Sequence, residues 1–152
     1  MIEGAYDEYD RLRKLRDDRE ARKHDSERKK TESGEKMTHL YSIYLGTEQG
    51  TDGPVSALHR ARVLYSIRRT LSDAFGGWSQ HELLGGWIDN DQYIIERSIR
   101  IDIMTDAPKQ LVREVALEAG AALQQKTVLL TCQPVQCEFI EVVLREEKNE
   151  NL

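Results

Sequence analysis

The hydrophobic and polar positions of this chain alternate most regularly over residues 93–104. The odd positions are apolar except for Arg97, whereas four of the six even positions are polar. A period of two over this length predicts a β-strand with one buried face and one open face. The open face must meet water, a ligand or another subunit, so we expect the functional site there. Its polar residues are Glu96, Ser98, Arg100 and Asp102.

The segment before this stretch predicts a strand, a loop and a helix. Residues 39–45 alternate as a strand does, and residues 46–53 form a glycine-rich loop. Pro54 suits the first position of the helix, with Ser56 as a competing N-cap. Apolar residues then recur at helical spacing up to Phe75, which predicts an amphipathic helix packed on the sheet.

The flanking segments predict a hairpin, a second helix and a last strand. Residues 78–88 read as a strand joined to the 92–104 strand by a short turn. We expect Asp106 to cap a second helix, with Pro108 in its first turn. Residues 127–143 again favour a strand because they are rich in β-branched residues.

The order β-α-β-β-α-β predicts a ferredoxin-like α+β sandwich, in which two helices cover one face of an antiparallel sheet. Right-handed crossovers place the first and third strands in the centre. The last strand is then an edge, where Pro134 is tolerated. We expect this domain over residues 39–145, with a tail over 146–152.

Residues 1–38 differ from the rest and form a charged N-terminal arm. They hold eleven basic and eleven acidic side chains, so the domain carries the whole net charge of −5. Good helix formers and close acid–base pairs favour a solvated helix, although no apolar stripe is present. Two interpretations stay open: a helical or disordered tail that aids solubility, and an arm that reaches a protein partner.

Composition narrows the classes of function. The acidic balance argues against nucleic acid as a partner. We find no signal-peptide pattern and no apolar run that could span a bilayer, so we expect a cytoplasmic protein without membrane contact. Cys132 and Cys137 are too few for a disulfide framework, and we expect two unpaired thiols. No spacing matches a metal site or a cofactor loop, so we expect neither metal nor cofactor.

Part of the domain resembles an uncharacterised family of short bacterial proteins. The pattern combines a glycine–tryptophan motif, an acidic turn, a Glu-x-Ser strand and a closing strand with Val-Leu and Pro-Val. The resemblance covers about two-thirds of the domain and implies a ferredoxin-like fold without an established activity. Many members look exported, and the arm is not part of their pattern. The matching residues are Gly85, Gly86, Trp87, Asp89, Glu96, Ser98, Val128, Leu129, Pro134 and Val135.

The open sheet face is the main candidate site for a ligand or an interface. Tyr44 and Trp87, from neighbouring strands, are expected to flank Glu96, Ser98 and Arg100. An arginine with a carboxylate partner and flanking aromatic rings suits a small anion or a planar ring. The same face can instead pair with a second copy, its charges forming cross-strand ion pairs.

The glycine-rich loop is a weaker candidate, in this case for an anion. It precedes a helix N-terminus, where free N–H groups and the helix dipole receive phosphates. It lacks the Gly-Lys-Ser/Thr ending of a P-loop, and its two acidic residues would repel an anion. A plain turn is the competing interpretation. The candidate residues are Thr47, Gly50, Thr51 and Gly53.

These observations favour a non-catalytic binding or assembly module. We expect a homodimer or higher homo-oligomer that associates, or binds a small ligand, through the open face. One alternative is a small dimeric enzyme acting on a metabolite, with His81 or Glu96 as the general base and Arg100 placing the substrate. Another is an accessory protein of a mobile element that sequesters a signal molecule or inhibits a host factor.

Overall fold

A computed structural model describes residues 13–22, 38–50, 52–137, 140 and 142. Four long strands form an antiparallel sheet in the order β4-β5-β1-β6, and two short strands pair separately. The predicted ferredoxin-like α+β fold is confirmed, with the first and third long strands in the centre. The elements are α1 (residues 13–22), β1 (Thr38–Gly46), β2 (Gln49–Gly50), β3 (Gly53–Pro54), α2 (Ala57–Phe75), β4 (Ser79–Asp89), β5 (Gln92–Thr105), α3 (Lys109–Ala122) and β6 (Leu129–Val135).

Helix α2 uses the serine rather than the proline as its start. Ser56 is the N-cap, and its Oγ accepts a hydrogen bond from the His59 backbone N–H at 3.2 Å. Pro54 lies in β3 instead of in the helix. Gly53 has a φ of 115°, which turns the chain back so that β3 pairs with β2 before the helix begins.

Two other boundaries follow from local backbone chemistry. Helix α3 has Pro108 at its N-cap position, so Asp106 lies outside the helix that it was predicted to cap. A residue before proline is disfavoured in the helical conformation, which delays the start of the helix. In the β4–β5 turn, Asn90 and Asp91 have φ values of 48° and 63°. Two successive left-handed residues suit a tight hairpin because they match the twist of its strands.

The core lies between one face of the sheet and helices α2 and α3. The odd positions Ile99, Ile101 and Ile103 of β5 are buried, as the alternation predicted. Tyr93 and Ile95 continue the same register but are exposed, because the tip of the hairpin extends beyond the two helices. The largest fully buried side chains are Ile43, Leu45, Leu71, Ile101, Ile103, Val112 and Leu123.

Helix α1, part of the charged arm, contacts the end of α2. Arg19 Nη1 donates to the Ser72 carbonyl at 3.1 Å, and Arg22 Nη2 donates to the Ala74 carbonyl at 2.8 Å. The Arg19 guanidinium also lies against Gly76, whose left-handed φ of 84° ends the helix. Cations at a helix C-terminus interact favourably with its free carbonyls and its dipole. This part of the arm therefore caps α2.

Replacing both Arg19 and Arg22 by alanine should lower the free energy of unfolding by about 1 kcal/mol, since exposed cations at a helix end contribute a few tenths to about 1 kcal/mol each. Urea unfolding at low ionic strength measures this change. Arg16→Ala is the control, because Arg16 lies 4.0 Å from Asp17 on the same helix. Equal stability of the double variant and the parent would mean that the arm is an independent tail.

Candidate functional site

The sheet face directed away from α2 and α3 collects the predicted site residues. We call it the open face, and it is formed by the even positions of β5 and their cross-strand partners. Arg100 lies between Tyr44 of β1 and His81 of β4, and Gly85 lies opposite Glu96. The predicted residues that share this face are Tyr44, His81, Trp87, Glu96, Ser98 and Arg100.

Glu96 is buried, although its place in the alternation predicted an open position. The residue is 3% exposed. Glu96 Oε2 accepts hydrogen bonds from the backbone N–H groups of Glu48 at 3.2 Å and Gln49 at 2.9 Å. A Cβ at Gly46 would overlap the carboxylate, so the close approach of strand and side chain requires glycine there. The loop after β1 thus folds over the end of the open face and covers Glu96.

The surroundings of Glu96 disfavour its charged form. Burial raises the pKa of the Glu96 carboxyl above its ordinary value, the two loop N–H groups lower it in part, and the charge of Glu48 raises it again. Among the described residues, no lysine, arginine or histidine lies within ion-pair distance of this carboxylate. The nearby Arg97 points away and lies 4.0 Å from Glu48. Glu96 is therefore a buried carboxylate held by backbone dipoles alone within the described part of the chain.

The glycine-rich loop uses two of its N–H groups to hold this carboxylate. An anionic ligand in the loop would have to compete with it. Thr47 is buried, and both its N–H and its Oγ1 donate to the Arg97 carbonyl, at 3.2 Å and 2.9 Å. Of the other predicted loop residues, Gly50 and Gly53 pair in the β2–β3 hairpin, and Thr51 lies outside the described residues.

An open cleft of about 890 Å³ lies beside Glu96. Its walls are the loop after β1, the β4–β5 hairpin and the turn over residues 124–127, which a hydrogen bond from Gln125 Nε2 to the Gln49 carbonyl ties to the loop at 2.7 Å. Trp87, 36% exposed, offers part of its ring to this space. The volume lies in the range of small-molecule sites. The lining residues that matter here are Tyr44, Gly46, Gly85, Trp87, Glu96 and Ser98.

A second polar group, which we call the Asp102 cluster, consists of Ser42, His81, Arg100 and Asp102 on the open face. Asp102 Oδ1 accepts a hydrogen bond from Ser42 Oγ at 2.6 Å. Asp102 Oδ2 lies 3.2 Å from His81 Nε2 and 3.1 Å from Arg100 Nη2. Sequence analysis selected His81 and Arg100 but not their link through Asp102. The link depends on strand register, which periodicity does not supply.

Three further features were considered in the sequence: metal ligands, the two cysteines and membrane-spanning helices. In the described part of the chain, no three histidine, cysteine or acidic side chains converge in a way that could hold a metal ion. Cys132 and Cys137 are both free and exposed. None of the described helices combines the length and the apolar character needed to cross a membrane.

Comparisons with known proteins identify the fold. No protein-family model and no curated protein matches the chain. A solved phage SAM lyase in complex with S-methyl-5′-thioadenosine is similar to it with a TM-score of 0.50 and 16% identity, over 68% of this chain and 93% of that chain. The divalent cation tolerance protein CutA from Archaeoglobus fulgidus gives a TM-score of 0.44 at 12% identity, over 68% of this chain and 88% of that chain. At these identities the likeness concerns the fold alone.

Glu96→Gln should stabilise the protein relative to the parent at about pH 7 and lose this advantage near pH 4, because the raised pKa means that the ionised carboxylate costs stability. This loss of stability is absent well below the ordinary glutamate pKa of 4.5 and grows as pH rises through the pKa of Glu96 in the folded protein. Glutamine keeps an oxygen for the two N–H donors. Urea unfolding at both pH values measures the difference.

The exposed Glu82 on β4 provides the matched control. Glu82→Gln should change the free energy of unfolding by less than about 0.5 kcal/mol, as is usual for surface substitutions. A Glu96→Gln variant that is less stable than the parent at both pH values would contradict the prediction. It would mean that the charge of Glu96 holds the loop more strongly than burial disfavours it.

Proposed function

We propose that this chain binds a small ligand in the cleft beside Glu96, and that the Glu96 carboxylate is its polar anchor. One observation carries the proposal: Glu96 is only 3% exposed, yet it lines an open cleft and has no cationic partner among the described residues. A buried charge is costly unless it is paired or fully hydrogen-bonded. A ligand with hydroxyl or amino donors would supply what the protein itself lacks at this position.

The rest of the cleft supports a ligand with a planar ring. Trp87 and Tyr44 provide aromatic surface on either side of β5. Gly46 and Gly85 allow the Glu96 carboxylate and Ser98 Oγ to lie close to the backbone of the neighbouring strands. A ring stacked on an aromatic side chain, with hydroxyl groups donating to a carboxylate, is how many nucleosides are held. A nucleoside is therefore the ligand class that we test first.

The phage SAM lyase with its bound S-methyl-5′-thioadenosine supplies the first compounds. S-methyl-5′-thioadenosine and SAM, added in excess, should each raise the melting temperature of the parent because they bind the folded state. Trp87→Ala and Glu96→Gln should reduce the shift by at least about half. Tyr65→Ala, which removes an exposed ring from α2, should leave it unchanged. Native mass spectrometry of the same mixtures should detect one ligand per chain.

An unchanged melting temperature with both compounds, together with no co-purifying small molecule in native spectra, would contradict a ligand site in this cleft. A shift that survives both cleft substitutions would contradict the assignment of Glu96 and Trp87. Adenosine serves as a further probe, because it keeps the ring and hydroxyl groups without the sulfur substituent.

A small enzyme remains the second candidate, and one contact favours it. Asp102 Oδ2 lies 3.2 Å from His81 Nε2, and a carboxylate in this place orients an imidazole for proton transfer. The binding experiment also separates the two candidates, since chromatography of the SAM mixture would detect its consumption. Consumption by the parent but not by His81→Gln would favour an enzyme over a binding module.

The hairpin tip supports a homo-oligomer. On the side opposite the open face, four large apolar side chains are each more than half exposed although they are neighbours on two paired strands. Contiguous apolar surface of this kind marks an interaction site in soluble proteins. A second copy of the chain would cover it. The four residues are Leu84, Ile88, Tyr93 and Ile95.

Ile95→Lys should shift the protein towards the monomer, because it places a charge in the middle of the proposed interface. Light scattering after size exclusion measures the mass of the parent and the variant. Leu117→Lys, at an exposed position of α3, is the control and should keep the mass of the parent. A parent that is already monomeric at tens of micromolar concentration would contradict the homo-oligomer.

A further inference from the structure

We propose that Arg100 and His81, held in position by Asp102, form a binding site for a small oxyanion, a carboxylate or phosphate group, on the open face outside the Glu96 cleft. Arg100 and Glu96 are four residues apart on β5, about 13 Å along the strand. The two sites are therefore separate positions of one continuous surface, and the oxyanion site does not depend on what the cleft binds.

In the Asp102 cluster the carboxylate is less exposed than the two basic side chains that contact it. The Asp102 side chain is 15% exposed, whereas the side chains of Arg100 and His81 are 34% and 47% exposed. Ser42 is buried and donates to Asp102 Oδ1, which fixes the carboxylate from the far side. An approaching ligand therefore meets the Arg100 guanidinium and the His81 ring before it meets the aspartate. Because Nε2 of His81 faces Asp102, Nδ1 is the ring nitrogen left for an oxyanion, and it donates when the ring carries both protons.

The strand register places two basic side chains at directly opposed positions. His81 of β4 faces Arg100 of β5 across the pair, a juxtaposition that is unfavourable when both carry a charge. Asp102 bridges the two and makes the arrangement stable. The other cross-strand neighbours of Arg100 and Asp102 are Tyr44, Ser42 and Ser79, none of which is acidic. A second carboxylate is thus missing from these neighbouring positions, and an oxyanion can take its place.

Arg100 keeps donors that its own ion pair does not use. A guanidinium carries five N–H bonds in a planar fork, and Nη2 is the atom that contacts Asp102. Nε of Arg100 is buried and has no acceptor among the described residues. A buried donor without an acceptor lowers the stability of the fold. A bidentate ion pair between Arg100 and Asp102 would have used Nε and avoided this cost. Because Nε itself is buried, a planar oxyanion would engage the Nη1–Nη2 end of the guanidinium, through two parallel hydrogen bonds.

Nuclear magnetic resonance of the ¹⁵N-labelled full chain tests this site with sodium phosphate and, separately, sodium acetate at constant ionic strength. We expect saturable shifts of the Arg100 Nε–H and His81 ring signals with at least one of the two anions, and none with chloride. Arg100→Lys should weaken the binding by about tenfold, since lysine offers no bidentate edge. In that variant the His81 signals report the binding.

Arg68→Lys is the matched control and should bind as the parent does. Arg68 hydrogen-bonds Gln80 Oε1 through Nε and Nη2 at 3.3 and 3.2 Å, on the opposite side of β4. His81→Gln, a change on an edge strand, should weaken binding several-fold and provides a second test should Arg100→Lys fail to fold. Glu96→Gln should leave the anion affinity unchanged, which separates this site from the proposed ligand cleft.

The choice of anion identifies the ligand chemistry. Tighter phosphate binding would support a phosphoryl group, and acetate binding of equal strength would support a carboxylate. Shifts that stay linear with concentration for both anions, or that match those caused by chloride, would overturn the proposal. Equal affinities of the Arg100→Lys and Arg68→Lys variants would overturn it as well.

Discussion

The burial of the Glu96 carboxylate under the loop after β1 is the constraint on which the candidate site depends. Two N–H groups of this loop hold Oε2, and Gly46 allows the carboxylate to lie against the strand. Burial raises the pKa of the carboxyl, so the arrangement costs stability that the described residues do not recover through an ion pair. Such a cost is typical of a position kept for binding rather than for folding.

The charges of the open face are arranged along one central strand. Glu96 places a carboxyl group without a cationic partner among the described residues at one position, and Arg100 places a cation, which Asp102 holds beside His81, four residues further on. Because β5 is paired with a strand on each side, it is a suitable element on which to hold these groups at a set separation. A ligand in the cleft and an oxyanion at the Asp102 cluster would therefore both contact side chains of β5. The two groups could belong to one molecule or to two.

The architecture could be predicted from the sequence because periodicity and turn chemistry are local. The alternation of β5 correctly placed Ile99 in the core, and Pro134 correctly indicated an edge strand. The same alternation could not predict that Glu96 is covered or that Tyr93 and Ile95 are exposed. Both outcomes depend on where loops and helices end over the sheet, which is tertiary information that a single strand does not carry.

The candidate site was predicted in part for the same reason. Alternation assigned Arg100 and Ser98 to the open face, and the register then confirmed that they share it with Tyr44. The role of Asp102 depends on pairing across three strands, and a one-residue slip would have moved it to the other face. The capping of α2 by Arg19 could not be predicted from the sequence either, because it joins residues more than fifty positions apart.

The side-chain carboxyl ¹³C signal of Glu96 provides the most direct test of the proposed ligand anchor. Its titration should have a midpoint above the ordinary glutamate value of 4.5. Addition of S-methyl-5′-thioadenosine or adenosine should shift the Glu96 signal saturably and leave the signal of the exposed Glu82 in place. A Glu96 carboxyl that titrates at or below the ordinary value of 4.5, and that responds to neither compound, would contradict the assignment of Glu96 as a buried anchor for a ligand.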